Sequence, residues 1–184
     1  MSSTPTTTAT SAATRTSRSS RAATVLATAA ALCAVTAPAV HAAGGDRRPP
    51  RIVADWARAW NGTEPQALGA LFTADGTYVD LGVGVTFRGP REISGWKARA
   101  DGLIANVHVT VRATHRKGDR ITVDAVYSGQ LKGAPKPFAV PMTTLLDLDA
   151  NHCRIASDED HYSLAAVLAQ SGLPADWTPP APTH

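Results

Sequence analysis

Two hydrophobic periodicities divide the chain, a helical one in the first half and an alternating one in the second. In the segment 52–61, Ile52, Trp56 and Trp60 are spaced four residues apart. This spacing predicts an amphipathic helix with an aromatic stripe on one side. A helix of this kind packs its tryptophan side against a core.

A second, shorter helix is predicted directly behind the first. Thr63 and Gln66 have the spacing of a capping box, in which a side chain at each position satisfies a backbone N–H of the other. The helix that follows is expected to bury Leu68, Leu71 and Phe72.

Two strands and a third helix complete the first half. The segments 75–82 and 85–89 predict two strands joined by a glycine-rich turn. Pro90 suits the first turn of a helix, because its missing N–H has no partner there in any case. The apolar side of this helix is formed by Ile93, Trp96 and Ala100.

From residue 106 onward, apolar and polar residues alternate. The segments 106–116 and 120–131 flank a Lys-Gly-Asp turn and predict a β-hairpin, and 138–149 and 152–162 form a second candidate pair. A last apolar run ends at Gly172, which is typical of a helix stop. The order predicts an α+β domain in which a cone-shaped, curved antiparallel sheet packs with three to four helices and encloses a pocket.

The N-terminus of the 184-residue chain has the pattern of a secretory signal peptide. A stretch with three arginines and no acid precedes the apolar run 25–35, and small residues follow. Val40 and Ala42 fit the −3 and −1 positions, so we expect cleavage after Ala42 and a secreted mature protein. The run is shorter than the roughly 20 residues of a membrane span. The alternative is an uncleaved interfacial anchor or an organellar transit peptide.

Removal of residues 1–42 changes the charge of the protein. The net charge of +3 comes from the three arginines of that segment, so the rest of the chain holds 15 basic and 15 acidic residues. Because no basic stripe with interleaved aromatics is present, we expect no nucleic-acid partner. Residues 43–50 are expected to be a flexible linker and 178–184 a disordered tail, which leaves a domain at 51–177. Cys153 is then the only cysteine and cannot form an internal disulfide.

An acid-rich string, S-D-E-D-H-Y at 157–162, falls on the last predicted strand. Strand alternation places Asp158, Asp160 and Tyr162 on one face. If that face lines the pocket, an unpaired buried carboxyl has a raised pKa, as a general base near neutral pH requires. The alternative is a solvated strand end, or a cap for the next helix with Ser163 as the other candidate.

A further acid, Asp80, lies where a predicted strand gives way to a glycine-flanked turn. Catalytic groups are common in such loops. The alternative is an exposed acid paired with Arg88. Tyr78 shares the face of Asp80 and is a candidate donor to a carbonyl or oxyanion, or else a core tyrosine.

The remaining candidates are side chains that could touch a substrate. Asp124 is one of them, although its position between apolar neighbours favours a cross-strand pair with Arg112 or Arg116 on the outer face. No histidine or cysteine spacing predicts a metal site, and we expect neither a metal nor a cofactor. Candidates for both core packing and ligand contact are Trp56, Trp60, Trp96, Phe138 and Met142.

The chain resembles the nuclear-transport-factor-like superfamily, and within it the SnoaL-like polyketide cyclase group, in four strings. They are W-A-R-A-W-N, L-F-T-A-D-G-T-Y-V-D, F-R-G-P-R-E-I-S-G-W and R-I-A-S-D-E-D-H-Y-S, and the resemblance covers residues 51–177. Members of the superfamily include isomerases, cyclases, epoxide hydrolases, dehydratases and non-catalytic binders. The fold alone therefore does not fix the activity.

The resemblance implies roles for two acids. D-G-T-Y-V-D-L-G-V-G is similar to the stretch of ketosteroid isomerases that holds the general-base aspartate, which falls on Asp80. S-D-E-D-H-Y-S is similar to a string of limonene epoxide hydrolases whose leading acid activates a water, and that acid falls on Asp160. Tyr78 and Asp80 then match the hydrolase Tyr-x-Asn. Thr122 stands where the hydrolases have Arg, and the segment 140–143 lacks the second acid of the isomerases.

Together these features predict a secreted, cofactor-independent SnoaL-like enzyme of cyclase or isomerase type that acts on a small apolar molecule. Asp160, Asp80 and Tyr78 are its predicted catalytic residues, and Asp158, Asp124 and Tyr162 join the substrate contacts. The alternatives are a non-catalytic binding module of the same fold and an epoxide-hydrolase-like activation of water. A homodimer through the sheet is also open, because relatives with this fold often form one.

Overall fold

The computed structural model describes residues 48–179, in which four helices and six strands follow one another. The helices are α1 (Arg51–Asn61), α2 (Pro65–Gly69), α3 (Gly89–Leu103) and α4 (Leu164–Ser171). The strands are β1 (Phe72–Asp80), β2 (Val85–Arg88), β3 (Ile104–Lys117), β4 (Arg120–Leu131), β5 (Phe138–Leu148) and β6 (Ile155–Tyr162). The predicted signal peptide and its cleavage site lie outside the described residues, as do 43–47 of the predicted linker and 180–184 of the predicted tail.

The strands form one open, curved sheet in the order β2-β1-β6-β5-β4-β3, which confirms the predicted fold class. Four of the five neighbouring pairs are antiparallel, including the predicted β3–β4 and β5–β6 pairs. The exception to the predicted antiparallel arrangement is β1 with β6, which run parallel. Because β6 returns between β1 and β5, its acids come to lie beside those of β1.

Strand alternation decides which side chains face the helices. Along β5, every second side chain is buried and the ones between are exposed or half-buried, so one face of the sheet is apolar and the other faces solvent. Helices α1, α3 and α4 cover the apolar face. Each fully buried Leu, Ile or Phe in this layer stabilises the fold by about 1.5–3 kcal/mol. The buried side chains of β5 are Phe138, Val140, Met142, Thr144, Leu146 and Leu148.

Helix α1 follows its predicted aromatic stripe. Trp56 and Trp60 are buried against the sheet together with Val53. The last residue of α1, Asn61, ties the helix to the edge strand β3: its side-chain amide donates to the Val109 carbonyl at 3.0 Å and its oxygen accepts from the Val109 N–H at 2.6 Å. These two bonds satisfy backbone groups that an edge strand would otherwise leave to solvent.

The predicted capping box at the start of α2 is wrong. The helix begins at Pro65, and Glu64 is its N-cap without any side-chain bond, so Thr63 lies one residue too early to cap. Proline favours this start because its φ angle is fixed and it has no N–H to leave unpaired. The helix has five residues and ends before Phe72, which is buried as the first residue of β1.

The start of α3 and both ends of α4 are formed as the sequence predicts. In α3, Pro90 lies in the first turn. In α4, the Ser163 hydroxyl accepts from the Ala166 N–H at 3.1 Å, and Gly172 adopts the left-handed conformation, with φ of 73°, that closes the helix. Among residues 48–179, no helix combines the length and the apolar character needed to cross a membrane.

Candidate functional site

A cavity lies between the inner face of the sheet and the helices α1, α3 and α4. Its volume is about 130 Å³. Its wall is apolar except for two carboxylates and the hydroxyls of three tyrosines. The lining residues are Trp60, Tyr78, Asp80, Val83, Trp96, Ala100, Leu103, Ile104, Val109, Tyr127, Leu131, Phe138, Met142, Asp160, Tyr162, Leu164, Val167, Leu168, Trp177 and Pro179.

Aromatic rings form much of this wall and pack on one another. Tyr127 meets both Phe138 and Tyr162 edge-on, with ring centroids 5.2 and 5.3 Å apart. On the other side, Trp60 lies 6.0 Å from Tyr78. Rings in such contacts are held in place by each other, so the cavity has a preformed shape.

Asp160 is placed on this wall by β6 and is 3% exposed. Its two carboxylate oxygens accept from different neighbours: Oδ2 from the Tyr78 hydroxyl at 2.7 Å, and Oδ1 from the Thr144 hydroxyl. The sheet register explains both contacts, because Thr144 of β5 is opposite Asp160. Tyr78 comes from β1, which runs alongside β6.

Asp80 is the second carboxylate of the cavity, at the end of β1, and is 4% exposed. Its Oδ2 accepts from the Tyr162 hydroxyl at 3.1 Å and its Oδ1 from the Val83 N–H at 3.1 Å. The parallel pairing of β1 and β6 aligns Asp80 with Asp160. The exposed pair with Arg88, which was the alternative, does not form.

Asp158 lies one pleat away from Asp160 and is fully buried. The Trp56 indole donates to its Oδ2 at 2.8 Å, and its Oδ1 has no partner among the described residues. It does not line the cavity. Burial, followed by the charge of Asp160, raises the pKa of Asp158 well above its usual range, which favours the neutral acid.

Burial also raises the pKa of the two carboxyls that line the cavity. For Asp160 the pKa rises to about 6, because desolvation and the nearby Asp80 outweigh the hydrogen bonds from Thr144 and Tyr78. Desolvation raises the pKa of Asp80 as well, against the bonds from Val83 and Tyr162. Burial beside these acids raises the pKa of Tyr78, so its hydroxyl stays protonated and donates.

The outer face of the sheet holds the acids that alternate with these. Glu159 pairs with His161 at 2.7 Å, as the predicted alternation along β6 requires. Asp124 is also on this face, with its side chain 49% exposed and 3.8 Å from His115 Nε2. The cross-strand pair thus involves a histidine where Arg112 or Arg116 was expected, because β3 and β4 shift register at this point.

The structure separates the predicted site residues into two groups. Those that line the cavity are Tyr78, Asp80, Asp160, Trp60, Trp96, Phe138, Met142 and Tyr162. Three predicted substrate contacts do not: Asp124 faces away, and Trp56 and Asp158 bond to each other behind the wall. The predicted contact of Asp124 with the substrate does not fit the structure, because Val123 and Ala125 on either side of it point inward and Asp124 therefore points outward.

Sequence reasoning missed two residues that shape the site. Tyr127 joins the aromatic wall, and the alternation of β4 could have pointed to it, because it continues the series of Val123 and Ala125 at every second position. Thr144 bonds Asp160 from the facing strand, and only the β5–β6 register could have pointed to it. Two unpaired donors also belong to the wall residues: the indole N–H groups of Trp60 and Trp96 have no acceptor among the described residues.

Within residues 48–179, no three His, Cys, Asp or Glu side chains come together as a set of metal ligands. The absence of a metal or cofactor therefore stays a prediction from the sequence. The chemistry that these residues offer by themselves is proton transfer by a buried carboxylate inside an apolar chamber.

Solved structures similar to this one share its fold. A hypothetical protein with a ketosteroid isomerase-like fold from Catenulispora acidiphila DSM 44928, solved in complex with trimethylamine, is 61% identical at a TM-score of 0.70, over 72% of this chain and 100% of its own. A candidate SnoaL-like polyketide cyclase from Shewanella putrefaciens CN-32 has 17% identity and a TM-score of 0.60, over 68% of this chain and 98% of its own. An LEH-like epoxide hydrolase from M. tuberculosis has 17% identity and a TM-score of 0.55, over 65% of this chain and 86% of its own.

The last two structures, at such low identity, are similar in fold alone. Comparison with the curated proteins gives no match. The sequence profile of the SnoaL-like domain matches residues 53–157, which is more than half of the chain; the match includes β1 and most of α1 and ends just before the acids of β6. The chain therefore belongs to the SnoaL-like domain family, whose fold is shared with cyclases, ketosteroid isomerase-like proteins and epoxide hydrolases.

Proposed function

We propose that this protein is a cofactor-independent enzyme of the cyclase or isomerase type, with Asp160 as its general base. The observation that carries the proposal is the environment of Asp160: its carboxylate lines an apolar cavity and burial raises its pKa to about 6. A base with this pKa is ionised at neutral pH and still accepts a proton readily. The substrate is then a small, largely apolar carbonyl compound.

The proposed reaction begins with the removal of a proton from the carbon next to the carbonyl group. The proton moves to Asp160, and the electrons of the C–H bond move into an enolate whose charge rests on the substrate oxygen. In an isomerase, Asp160 returns the same proton to a different carbon. In a cyclase, the enolate carbon forms a bond to a second carbonyl carbon, and that carbonyl oxygen takes the proton. Neither route oxidises or reduces the substrate.

The donor to the enolate oxygen is assigned differently from the sequence prediction. Tyr78 was expected to fill this role, but its single hydroxyl proton is directed to Asp160. The unpaired indole N–H groups of Trp60 and Trp96 are buried away from the cavity surface, so we assign the role to the hydroxyl of Tyr127, which lines the cavity and makes no hydrogen bond to the described residues. A donor aimed at developing charge in a dry site stabilises the transition state by about 2.7–4 kcal/mol.

The β,γ-unsaturated ketone 3-cyclohexen-1-one tests the proposal without knowledge of the natural substrate. Its conversion to conjugated 2-cyclohexen-1-one needs only proton removal and return, and is followed by ultraviolet absorbance. We expect the wild type to catalyse it, and Asp160→Asn to lower kcat/KM by at least about 100-fold. Asp124→Asn, a change of the same type on the outer face, serves as the matched control with an unchanged rate. Equal rates for the wild type and Asp160→Asn would remove Asp160 from the mechanism.

A non-catalytic binding module is the second candidate, because two of the three tyrosine hydroxyls on the wall, those of Tyr78 and Tyr162, donate to carboxylates and cannot also donate to a substrate oxygen. The 61% identical relative was solved with trimethylamine, which makes that amine a reasonable first compound in a ligand screen of this protein. Retention of a ligand whose mass is unchanged after long incubation, together with no isomerisation of the ketone, would favour this candidate.

Epoxide-hydrolase-like water activation has less support. Thr122 and Asp124, the positions that correspond to the hydrolase Arg and Asp, lie on the outer face of β4 away from the cavity. A bound water near Asp160 would lack that pair.

We further propose that the protein is exported, with Ala43 as its first mature residue, on the basis of the N-terminal sequence pattern. N-terminal sequencing of protein recovered from outside the cytoplasm tests this cleavage site, and an intact Met1 on that material would contradict it.

The homodimer through the outer sheet face stays a prediction, which sedimentation of residues 43–184 would test.

A further inference from the structure

We propose that the carbonyl compound taken by this cavity also carries a small alkylammonium group, packed against the aromatic wall with the carboxylates of Asp80 and Asp160 as its countercharges. The inference deepens the proposed function, since it names the chemical class that the same cavity takes, and it rests on that cavity being the functional site.

The first reason is that the cavity holds acids without a matching base. Asp80 and Asp160 both line it, and no Lys, Arg or His of the described residues does. Every hydrogen bond recorded for these two carboxylates comes from a neutral group: hydroxyls of Tyr78, Tyr162 and Thr144 and a backbone N–H. An ionised carboxylate that leaves water costs several kcal/mol unless a positive charge joins it.

The cations nearest to this region are engaged elsewhere. The buried Lys97 ammonium bonds both carboxylate oxygens of Asp101 at 2.6 Å and the Gly62 carbonyl at 2.9 Å. His161 points to the opposite face of the sheet, where it pairs with Glu159. The positive charge that would complement Asp80 and Asp160 must therefore arrive with the ligand.

The second reason is the aromatic wall. Ring faces attract a cation within about 6 Å of their centroid, most strongly where water is excluded, and cages of this type select quaternary ammonium groups. Tyr127 and Tyr162 lie beside the two carboxylates, and Trp177 and Phe138 complete the wall around them. The Tyr162 hydroxyl donates to Asp80, which fixes the position of the ring beside that carboxylate.

These two features together select among ligand classes. An anionic ligand would meet two like charges, and a neutral apolar ligand would fill the wall but leave both carboxylates without a countercharge. A methylated ammonium group is apolar on its surface and positive overall, so it satisfies the rings and the acids at once. The cavity, at about 130 Å³, has the volume of roughly four water molecules and is close in size to an engineered cavity of about 150 Å³ that binds benzene, which suits a group of the size of trimethylammonium.

The test uses a matched pair of probes, choline and 3,3-dimethylbutan-1-ol, which have the same shape and hydroxyl and differ in whether the central atom is N⁺ or carbon. Calorimetry at pH 7.5 should show that the wild type binds choline at least about 10-fold more tightly than the alcohol. In Asp80→Asn and Asp160→Asn this preference should fall at least about 5-fold, with alcohol binding nearly unchanged. Asp124→Asn should retain the wild-type preference.

Alcohol binding equal to or tighter than choline binding would overturn the inference, and so would a wild type that binds neither probe at millimolar concentration. A preference for choline that is unchanged in both carboxylate variants would overturn the assignment of the countercharges. These outcomes are independent of the ketone assay: selective choline binding without isomerisation would defeat the proposed function alone, and isomerisation without choline selectivity would defeat this inference alone.

Discussion

Asp160 shows how a single side chain balances opposing influences. Burial and the neighbouring Asp80 favour its neutral form, while the hydroxyls of Thr144 and Tyr78 favour the charged form. Burial and the charge of Asp80 outweigh the two hydrogen bonds, so the pKa of Asp160 is about 6 against an ordinary value of 3.8. A functional acid of this type is a destabilising element of the fold at neutral pH.

Asp160→Asn should therefore change how stability depends on pH. The pKa of Asp160 is higher in the folded than in the unfolded protein, so the folded protein binds this proton more tightly. The protonated carboxyl therefore stabilises the wild type fully below about pH 4, and this stabilisation is lost as the pH rises through 6. The difference of about two pKa units corresponds to about 3 kcal/mol. The variant should be more stable than the wild type at pH 7.5, by a few degrees in Tm, and the two should converge toward pH 4.

Urea unfolding of both proteins between pH 4 and pH 8 measures this effect. Asp124→Asn is the control, since its half-exposed carboxyl should give a profile parallel to that of the wild type. A constant offset between Asp160→Asn and wild type across the pH range would contradict the expected titration.

Part of this chemistry was readable in the sequence. Strict alternation in S-D-E-D-H-Y predicted that Asp158 and Asp160 share one face, and in the structure that face is the buried one. What alternation could not supply was the partner of each acid. Trp56 is 102 positions away from Asp158, and Thr144 comes from a different strand, so only the folded register reveals which acid meets the cavity and which is held behind it.

Among the secondary-structure elements, the turn after β1 is fitted closely to its neighbour. A Cβ on Gly82 would lie 2.6 and 2.7 Å from the two Cε atoms of the Tyr162 ring, so the ring would have to move. Gly82→Ala should destabilise the protein by about 1–3 kcal/mol and weaken the bond from Tyr162 to Asp80. Urea unfolding gives the free energy, and near-ultraviolet circular dichroism reports the displaced ring.

Gly95 provides the matched control for that variant. It lies in α3, where an added Cβ meets nothing within 4 Å. Gly95→Ala should stabilise the protein by about 0.5–1 kcal/mol, because alanine favours the helix. If Gly82→Ala were as stable as Gly95→Ala, the close fit between the turn and Tyr162 would not exist.

The elements themselves were predicted unevenly, for physical reasons. Periodicity was enough for α1, α3 and the β3–β4 hairpin, which depend on local spacing and a short turn. It failed at α2, where the fixed geometry of Pro65 overrode a plausible capping pattern. It also gave no sign of the parallel β1–β6 pair, since strands 75 or more positions apart meet through tertiary packing and not through a local turn.

The protein as a whole closes its cavity with residues beyond the last helix. Trp177 and Pro179 both contribute to the wall, and Trp177 packs on the cluster around Phe138 and Leu168. Composition had placed the domain boundary at residue 177, because a proline-rich end normally has too little apolar surface to fold. Trp177 at that boundary and Pro179 within the predicted tail nevertheless line the cavity.

Trp177→Ala should open this side of the cavity. We expect a loss of about 1–2 kcal/mol in unfolding free energy, since the ring is half-buried, and about 10-fold weaker binding of 3,3-dimethylbutan-1-ol. Thr178→Ala, an exposed neighbour that does not line the cavity, should change neither quantity. Unchanged alcohol binding in Trp177→Ala would show that the C-terminal segment is not part of the ligand site.

The most direct measurement is a ¹³C NMR titration of the aspartate carboxyl groups of residues 43–184, with the Asp160 signal assigned by its absence from Asp160→Asn. Burial predicts a midpoint of about 6 for Asp160. Thr144→Val, which removes a hydrogen bond that favours the charged form, should move that midpoint further upward. A midpoint at or below 4 in the wild type would mean an ordinary, solvated carboxylate and would contradict its role as the proton acceptor of the cavity.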